Sequence, residues 1–305
     1  MLDKKRILVT GAKGFIGSTL CSYISSLQYQ LLKVGRRSNS TNCEIVIDDL
    51  SSFNDWSKIL VGVDTVIHLA GRAHMLDDIS KDKIEKYRCI NTFPTIALAN
   101  EASRVGVRRF IYLSTIGVNG NETFDKPFTA TDTPQPHSPY AISKHEAEIA
   151  LNDLSRSSTL EVVIIRPPLV YGLNAPGNIS KVMNMLKKNI PLPLGSIANN
   201  KRSFVSVDNL VNLIITCIES PTAANRTFLV SDGKDISTSE FLKYLAHSIG
   251  RKHMILPFPE KAISYLLRSM PRQDIAISLL GNLQVDIKYT SETLAWMPAS
   301  PKDQI

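Results

Sequence analysis

The sequence predicts an α/β fold in which helices cover a parallel sheet. In the first 170 residues, short β-branched runs alternate with longer segments of helical periodicity, the pattern of repeated strand–helix–strand units. The first helical segment has one apolar face, formed by Ile16, Leu20, Tyr23, Ile24 and Leu27. The predicted strands are Arg6–Thr10, Leu31–Val34, Glu44–Asp48, Thr65–Ala70, Phe110–Ser114 and Val162–Arg166.

A second, smaller region is predicted after Arg166, where prolines and glycines interrupt long regular elements. Strand-like runs at Phe204–Val207 and Thr227–Val230 suggest that the chain returns to the sheet before a helical C-terminal part. We therefore expect two discontinuous domains. The larger would contain residues 1–171 plus 204–231, and the smaller, which would bind the substrate, residues 172–203 plus 232–305.

Composition narrows the class of protein. The 305-residue chain has a formal net charge of +7, but its basic residues occur as scattered pairs, so no nucleic-acid partner is expected. Its four cysteines are widely spaced and have no nearby histidine to complete a ligand set, so we expect reduced thiols and no metal site. The N-terminus has no signal-peptide pattern, and the apolar stretches are far shorter than the ~18 residues that span a bilayer. We expect a cytoplasmic protein with no membrane insertion.

A glycine-rich turn follows the first predicted strand and opens the first predicted helix. It reads GAKGFIG and places Gly11, Gly14 and Gly17 at GxxGxxG spacing. The first glycine permits a tight turn, the second lets the backbone approach a pyrophosphate, and the third lets the helix pack closely on the strand. The N–H groups that begin the helix favour phosphate binding. The turn predicts a Rossmann-type, doubly wound domain that binds a dinucleotide.

The end of the second strand indicates which nicotinamide cofactor is bound. NAD-binding domains usually have an acidic residue there for the ribose 2′-hydroxyl, whereas this chain reads Val34-Gly35-Arg36-Arg37. An arginine can pair with a 2′-phosphate instead, so NADP(H) is favoured and NAD(H) stays open. Asp49 and Leu50, after the third strand, are placed for the adenine end of the cofactor.

Tyr140 and Lys144 are the candidate acid/base pair. They lie four residues apart in a segment of helical periodicity, so both side chains should lie on one helix face. A nearby ammonium lowers the pKa of a phenol, which makes proton transfer by tyrosine practicable near neutral pH. Tyr29 and Lys33 have the same separation but lie beside the second strand. The later pair follows the fifth strand, at the sheet edge where α/β folds bind ligands, and is therefore preferred.

Six sequence features follow one another along nearly the whole chain. They are GAKGFIG, IHLAG at Ile67–Gly71, Asn91, YLST at Tyr112–Thr115, SPYAISK at Ser138–Lys144 and IIRPPLVYG at Ile164–Gly172. Together they resemble the extended short-chain dehydrogenase/reductase family, and within it the nucleotide-sugar epimerases, reductases and dehydratases. The resemblance implies a Rossmann domain with a small C-terminal sugar-binding domain. It also implies a UDP-sugar substrate and a homodimer.

The resemblance assigns roles by position. Thr115, with Ser114 beside it, is expected to hydrogen-bond the reacting sugar oxygen. Tyr140 is then the acid/base and Lys144 its electrostatic partner. Arg202 matches an arginine that clamps the nucleotide diphosphate, and Asn178 a substrate-contacting asparagine; these four residues, Ser114, Thr115, Asn178 and Arg202, form the predicted substrate site. The predicted cofactor-binding residues are Gly11, Gly14, Phe15, Ile16, Gly17, Arg36, Asp49, Leu50, Leu69, Ala70, Gly71, Asn91, Tyr140, Lys144 and Pro167.

The resemblance also narrows the reaction. The family's 4,6-dehydratases have an Asp-Glu pair directly after the active-site threonine, where this chain has Ile116 and Gly117, so dehydration is not expected. Reduction of a UDP-4-keto-6-deoxy-N-acetylhexosamine for surface polysaccharide is favoured. Its support is Arg36 and the segment Ala175–Leu210, which looks like that of reductases making UDP-N-acetyl-quinovosamine. The alternative is 4-epimerisation of UDP-glucose or UDP-N-acetylglucosamine. A non-catalytic NADP-sensing or scaffold protein is a remote alternative, because such proteins typically lose the tyrosine or the lysine.

The C-terminal part departs from the family pattern. The enzymes that the chain resembles have a GW-P motif followed by a final helix, whereas this sequence reads TLAWMPASPKDQI. We expect that helix to be absent, which leaves open how completely the sugar pocket closes.

Overall fold

Seven strands form one sheet in which every neighbouring pair is parallel. The structure is a computed structural model and describes residues 4–36, 45–50, 52–53, 55–73, 82–251, 254–259, 261–263, 265 and 273–300. In chain order the strands are β1 (Arg6–Thr10), β2 (Gln30–Arg36), β3 (Ile45–Ile47), β4 (Val63–His68), β5 (Arg109–Leu113), β6 (Glu161–Arg166), β7 (Leu169–Tyr171), β8 (Phe204–Ser206) and β9 (Arg226–Leu229). β7 and β8 form a separate parallel pair.

Helices connect most of these strands. They are α1 (Phe15–Ser25), α2 (Trp56–Leu60), α3 (Lys83–Tyr87), α4 (Phe93–Arg104), α5 (Pro139–Ser157), α6 (Asn178–Lys187), α7 (Val207–Glu219), α8 (Thr238–Ser248), α9 (Gln273–Leu280) and α10 (Lys288–Leu294). A π-helical segment, Arg88–Thr92, joins α3 to α4. A short 3₁₀ turn, Ile116–Val118, follows β5.

The order of the large sheet creates a crevice at one edge. The strands lie in the order β3-β2-β1-β4-β5-β6-β9. The chain therefore first extends the sheet on one side of β1, with β2 and β3, and then continues on the other side, beginning with β4. In such sheets the connections diverge at the carboxyl ends of the two central strands, and ligands bind there. The order confirms the predicted Rossmann-type, doubly wound parallel sheet.

Two hydrophobic layers hold the sheet. Side chains along β1 alternate between them: Ile7 and Val9 belong to the cluster shared with α1 and α7, and Leu8 to the cluster shared with α4 and α5. This alternation is the consequence of the two-residue period of a strand that is buried on both faces. Each of these three side chains is fully buried, which contributes ~1.5–3 kcal/mol relative to exposure.

The small region after β6 differs in part from its prediction. β9 returns to the large sheet beside β6, as expected for Thr227–Val230. The expectation that Phe204–Val207 also joins that sheet is wrong, because β8 pairs with β7 instead. Phe204 stacks on Phe241 of α8 with 3.9 Å between ring centroids, which draws β8 into a third cluster with α6 and α8. The exact domain boundaries stay a prediction.

The first helix is shorter than its apolar pattern suggests. Leu20 and Ile24 are buried against the sheet, but Tyr23 and Leu27 are 47% and 42% exposed. α1 ends at Ser25, so Leu27 lies beyond it, and the Tyr23 hydroxyl donates to the Asp208 carboxylate at 3.3 Å. Within the described residues, no helix combines the length and apolarity needed to cross a bilayer.

Candidate active site

A cavity of about 550 Å³ occupies the crevice between the carboxyl ends of β1 and β4. Eight of the predicted cofactor-binding residues line it: Gly11, Gly14, Arg36, Asp49, Leu50, Leu69, Ala70 and Gly71. Seven others lie outside its lining: Phe15, Ile16, Gly17, Asn91, Tyr140, Lys144 and Pro167. The predicted cofactor residues of the N-terminal strands therefore share one cavity, whose walls come from the end of β2, from β3 and the residues after it, and from the loops after β1 and β4.

The glycine turn has the backbone geometry that its spacing predicts. Gly11 has φ +69°, and a Cβ on it would lie 2.8 Å from the amide nitrogen of Ala70. A Cβ on Gly17 would overlap the Gly11 carbonyl oxygen, so this glycine lets α1 pack against the turn. Gly14 donates its N–H to the Gly11 carbonyl at 2.9 Å and precedes the first helical residue. Because Gly11 has no side chain, the backbone of the turn lies directly beside the backbone that follows β4.

Cationic side chains surround the outer part of the cavity. Arg36 ends β2 and is exposed, while Lys13 of the glycine turn and Arg72 also belong to the lining. Asp49 contributes the one carboxylate among the described lining residues. This charge balance suits phosphate groups. Arg37, the second arginine of the predicted pair, lies outside the described residues.

Lys144 lies buried on α5, directly behind the end of β5. Its Nζ donates to the Leu113 carbonyl at 2.9 Å and lies 4.6 Å from the centroid of the Tyr112 ring. Burial lowers the pKa of Lys144 to about 8, while the Glu148 carboxylate raises it. The carbonyl and the ring face fix the position of the ammonium.

Asn91 and Lys144 both lie beside the loop after β4, which lines the cofactor cavity. Asn91 Oδ1 accepts from the Arg72 amide at 2.8 Å, and its Nδ2 donates to the Arg72 carbonyl at 3.2 Å. A Cβ on Gly71 would lie 3.1 Å from Asn91 Oδ1 and 3.2 Å from Lys144 Nζ. The loop after β4 therefore passes close to the Lys144 ammonium, and a side chain at Gly71 would require Asn91 or Lys144 to shift by a few tenths of an ångström. Asn91 lies in the π-helical segment, a feature frequent at functional sites.

Thr115 lies at the end of β5, where its hydroxyl accepts from the Gly117 amide at 3.2 Å. A Cβ on Gly117 would lie 3.4 Å from the Ala141 methyl carbon, so the turn after Thr115 packs on the residue next to Tyr140. The Ile116 amide donates to the Pro167 carbonyl at 2.9 Å, which sets Pro167 beside the same turn. Ser114 is buried, whereas Thr115 is partly exposed. Thr115 therefore has the more accessible hydroxyl.

Tyr140 occupies the first turn of α5. Pro139 begins the helix, and the Ser138 hydroxyl caps it by accepting from the Ala141 amide at 3.2 Å. The Tyr140 ring lies 5.9 Å from the ring of Tyr87, centroid to centroid. Burial, with a smaller contribution from Tyr87, raises the pKa of Tyr140. The phenol form is thus favoured and can donate a proton; proton removal requires a cation close by.

The Tyr29/Lys33 pair has a different setting from Tyr140/Lys144. Tyr29 precedes β2 and Lys33 lies within that strand, so the two do not share a helix face. The Tyr29 hydroxyl donates to Glu219 Oε1 at 2.8 Å, and burial together with Glu219 raises the pKa of Tyr29 to about 12. This tyrosine lies at the amino end of the sheet, away from the crevice.

The two predicted sugar-nucleotide contacts lie in the small region. Asn178 is the first residue of α6 and is exposed. Arg202 precedes β8, and its Nη1 donates to the Gly281 carbonyl at 2.8 Å. Burial lowers the pKa of Arg202 to about 10, while Glu122 raises it. The hydrogen bond to the Gly281 carbonyl orients the guanidinium. The role of Arg202 as a diphosphate clamp stays a prediction.

Sequence patterns missed two polar residues around the site. Ser143 is buried; its hydroxyl accepts from Asn91 Nδ2 at 3.2 Å and donates to the Tyr140 carbonyl at 2.8 Å. Its place between the tyrosine and the lysine in SPYAISK was the available signal. His68 is also buried and bridges the hydroxyls of Thr10 (2.7 Å) and Thr95 (2.9 Å). Burial lowers the pKa of His68 to about 3, so this histidine is neutral.

Comparison with known proteins identifies the family. A model of the NAD dependent epimerase/dehydratase family matches residues 7–231. A UDP-glucose 4-epimerase of Vibrio cholerae is 41% identical over 298 residues, which cover 96% of this chain and 91% of that protein. This chain belongs to the NAD dependent epimerase/dehydratase family. The predicted resemblance to extended short-chain dehydrogenase/reductases is thereby confirmed.

Other proteins that resemble this chain in sequence or fold are more distant. The mouse dTDP-D-glucose 4,6-dehydratase is 28% identical over 233 residues, covering 70% of this chain and 64% of that protein. The fold matches that of the Thermotoga maritima UDP-glucose 4-epimerase, solved with UDP-glucose, with a TM-score of 0.78 at 22% identity, covering 98% and 95% of the two chains. It also matches a Bacillus cereus UDP-glucuronic acid 4-epimerase, solved with NAD, with a TM-score of 0.77 at 21% identity, covering 98% and 95%.

Gly11→Ala is expected to abolish tight cofactor binding, because the new methyl group meets the Ala70 backbone at 2.8 Å and requires a left-handed conformation. Isothermal titration with NAD(H) and NADP(H) measures the loss, which we expect to be at least about 30-fold since a backbone clash of this kind costs ~2 kcal/mol or more. Gly106→Ala is the matched control: its φ is +82° but no heavy atom lies within 4 Å of the added Cβ. Equal affinity losses in both variants would contradict the assignment of the turn.

Proposed function

We propose that this chain transfers hydride at C4 of a UDP-sugar, with Tyr140 as the acid/base. The observation that carries the proposal is the position of the Lys144 ammonium. It lies against Gly71 of the cofactor cavity on one side and follows Tyr140 by one turn of α5 on the other. A charge at this junction can serve both the nicotinamide ribose and the tyrosine phenolate.

The residues divide the chemistry in a simple way. When bound, the nicotinamide supplies or accepts the hydride. Tyr140 gives a proton to the C4 oxygen during reduction, or takes the C4 hydroxyl proton during oxidation, and Lys144 stabilises the phenolate. Thr115 hydrogen-bonds the same sugar oxygen from the turn after β5. Ile116 is buried in an apolar cluster and Gly117 has no side chain, so neither can move a proton at C5 or C6.

Net reduction is the reaction that the cofactor cavity favours. Arg36 ends β2 at the position where NAD-binding domains usually have a carboxylate, and Lys13 lines the same cavity. Both charges suit the 2′-phosphate of NADP(H), a cofactor that reductases exchange at every turnover. The favoured substrate is a UDP-4-keto-6-deoxy-N-acetylhexosamine, used in surface polysaccharide synthesis.

4-Epimerisation is the second candidate, and the Vibrio cholerae relative specifically favours it. The same Tyr140 would first take the C4 hydroxyl proton. After the keto intermediate has rotated in the site, Tyr140 would return a proton to it. This reaction needs a cofactor that stays bound through the cycle, and NAD is the cofactor named for the Bacillus cereus structure.

We further propose that the protein is cytoplasmic and forms a homodimer. Sedimentation at several protein concentrations tests the oligomeric state.

Tyr140→Phe is expected to lower kcat/KM by about 10²–10⁴-fold, because the variant keeps the ring but loses the transferable proton. Turnover of the UDP-sugar and cofactor affinity are measured on the same preparation. Affinity should stay within a factor of about three, since a hydroxyl that acts on the sugar contributes little to cofactor binding. Tyr29→Phe is the matched control and should leave kcat/KM unchanged. A Tyr140→Phe variant that keeps full turnover would overturn the proposed role.

A substrate test separates the two reactions. The purified protein is offered NADPH with a UDP-4-keto-6-deoxy-N-acetylhexosamine and, separately, UDP-glucose or UDP-N-acetylglucosamine without added cofactor. Consumption of NADPH in the first assay alone supports reduction, whereas epimer formation in the second alone overturns it. Arg36→Ala should raise KM for NADPH about 10–100-fold, the worth of a lost charge-assisted hydrogen bond, and leave KM for NADH nearly unchanged.

A further inference from the structure

A buried ion pair lies behind the candidate site and has no part in the chemistry described above. Glu148 of α5 accepts from Arg166 Nε at 3.0 Å and from Arg166 Nη2 at 2.5 Å. The side chains are only 2% and 6% exposed. Removing two charges from water offsets most of their attraction, so such a pair contributes little net stability compared with a well-packed apolar pair. Its presence calls for another physical role.

The pair joins the elements that carry the catalytic groups. Glu148 follows Lys144 by four residues, so both lie on the buried face of α5. Arg166 ends β6 and precedes Pro167, and its Nη1 donates to Asn119 Oδ1 at 2.9 Å. Asn119 caps the 3₁₀ turn that begins after Thr115. The tyrosine helix, the threonine turn and the β6 end are thus all held to one guanidinium.

We propose that Glu148, held by Arg166, is a positioning residue that keeps the Lys144 ammonium charged and in place beside Tyr140. The inference rests on the proposed function of that site. Glu148 contacts neither substrate nor cofactor in this account; it acts through the lysine.

Beside the Leu113 carbonyl and the Tyr112 ring face, the Glu148 carboxylate is the negative charge that raises the pKa of Lys144 among the described residues. From β4 and β5, His68 and Tyr112 face the ammonium, and burial keeps both uncharged by lowering the pKa of His68 to about 3 and raising that of Tyr112. Tyr140 belongs to the same helix. Burial raises the pKa of Glu148, but His145, with Nδ1 at 3.8 Å, Arg166 and Ser114 together lower it below its ordinary value, so the carboxylate is ionised.

Two variants are expected to move the pH profile in opposite directions. Glu148→Gln leaves the Arg166 charge without its partner, so Lys144 should lose its proton more readily, and the alkaline fall of kcat should move to lower pH by about 1 unit. Arg166→Met leaves the Glu148 charge uncompensated, so the fall should move to higher pH by a similar ~1 unit. A merely structural pair would lower kcat or stability without opposite shifts. Unmoved or parallel shifts overturn the proposal.

Two further variants keep the test decisive. Glu146→Gln is the matched control, because Glu146 lies on the same helix but pairs with Arg88 at 2.6 Å; its alkaline limb should stay in place. If neither single variant folds, as judged by circular dichroism, Glu148→Asp withdraws the charge by one methylene. Its alkaline limb is expected to move in the same direction as in Glu148→Gln, but less, and an unmoved limb overturns the proposal.

A measurement without substrate separates this inference from the proposed function. The pKa of Lys144 is followed by NMR in protein labelled at lysine ¹³Cε, with the Lys144→Met variant identifying the signal. The opposite shifts should appear in this titration whether or not a UDP-sugar is turned over. Turnover with an unchanged Lys144 titration in both variants overturns the inference alone, whereas shifted titration without turnover overturns only the proposed function.

Discussion

The candidate site depends on the contacts that hold the buried ammonium of Lys144. The ammonium donates to the Leu113 carbonyl at 2.9 Å at the end of β5, and it lies against the backbone of Gly71 in the loop after β4. A cation in this position must be compensated, because an isolated charge in the interior loses its proton instead of staying buried. The Tyr112 ring face, the carbonyl and the Glu148 carboxylate supply that compensation.

The parallel sheet explains why these groups meet. All seven strands run in one direction, so every carboxyl end opens on the same edge, and the order reverses between β1 and β4. The glycine turn, the loop after β4 and the turn after β5 therefore converge there. Tyr29 and Lys33 have the same sequence spacing as Tyr140 and Lys144, but Tyr29 directly precedes β2 and Lys33 lies within it. Position in the sheet, and not spacing, separates the two pairs.

Local signals made much of the fold predictable. The strand–helix alternation and the glycine turn were read correctly, because side-chain period and a positive φ at Gly11 are properties of a few neighbouring residues. The cavity-lining set could be named in part for the same reason. The β7–β8 pair was missed, because its partners are 35 residues apart and the choice is made by stacking of Phe204 on α8. The hydrogen bonds from Thr10 through His68 to Thr95 were missed too. These residues lie on two strands and one helix that are far apart in the sequence, so their contacts leave no local pattern.

The NAD dependent epimerase/dehydratase family accounts for the fold and the order of the motifs, while Arg36 and the Vibrio cholerae relative favour different reactions. In the mechanism that we propose, both reactions use Lys144 to serve the cofactor and Tyr140 together.

Lys144→Met tests this shared role of the ammonium, with cofactor affinity and kcat/KM measured on one folded preparation. We expect weaker cofactor binding and a fall in kcat/KM of at least about 10²-fold, because a single cation supports both functions in the proposed mechanism. Cofactor affinity and kcat/KM that both stay at the wild-type level would contradict it.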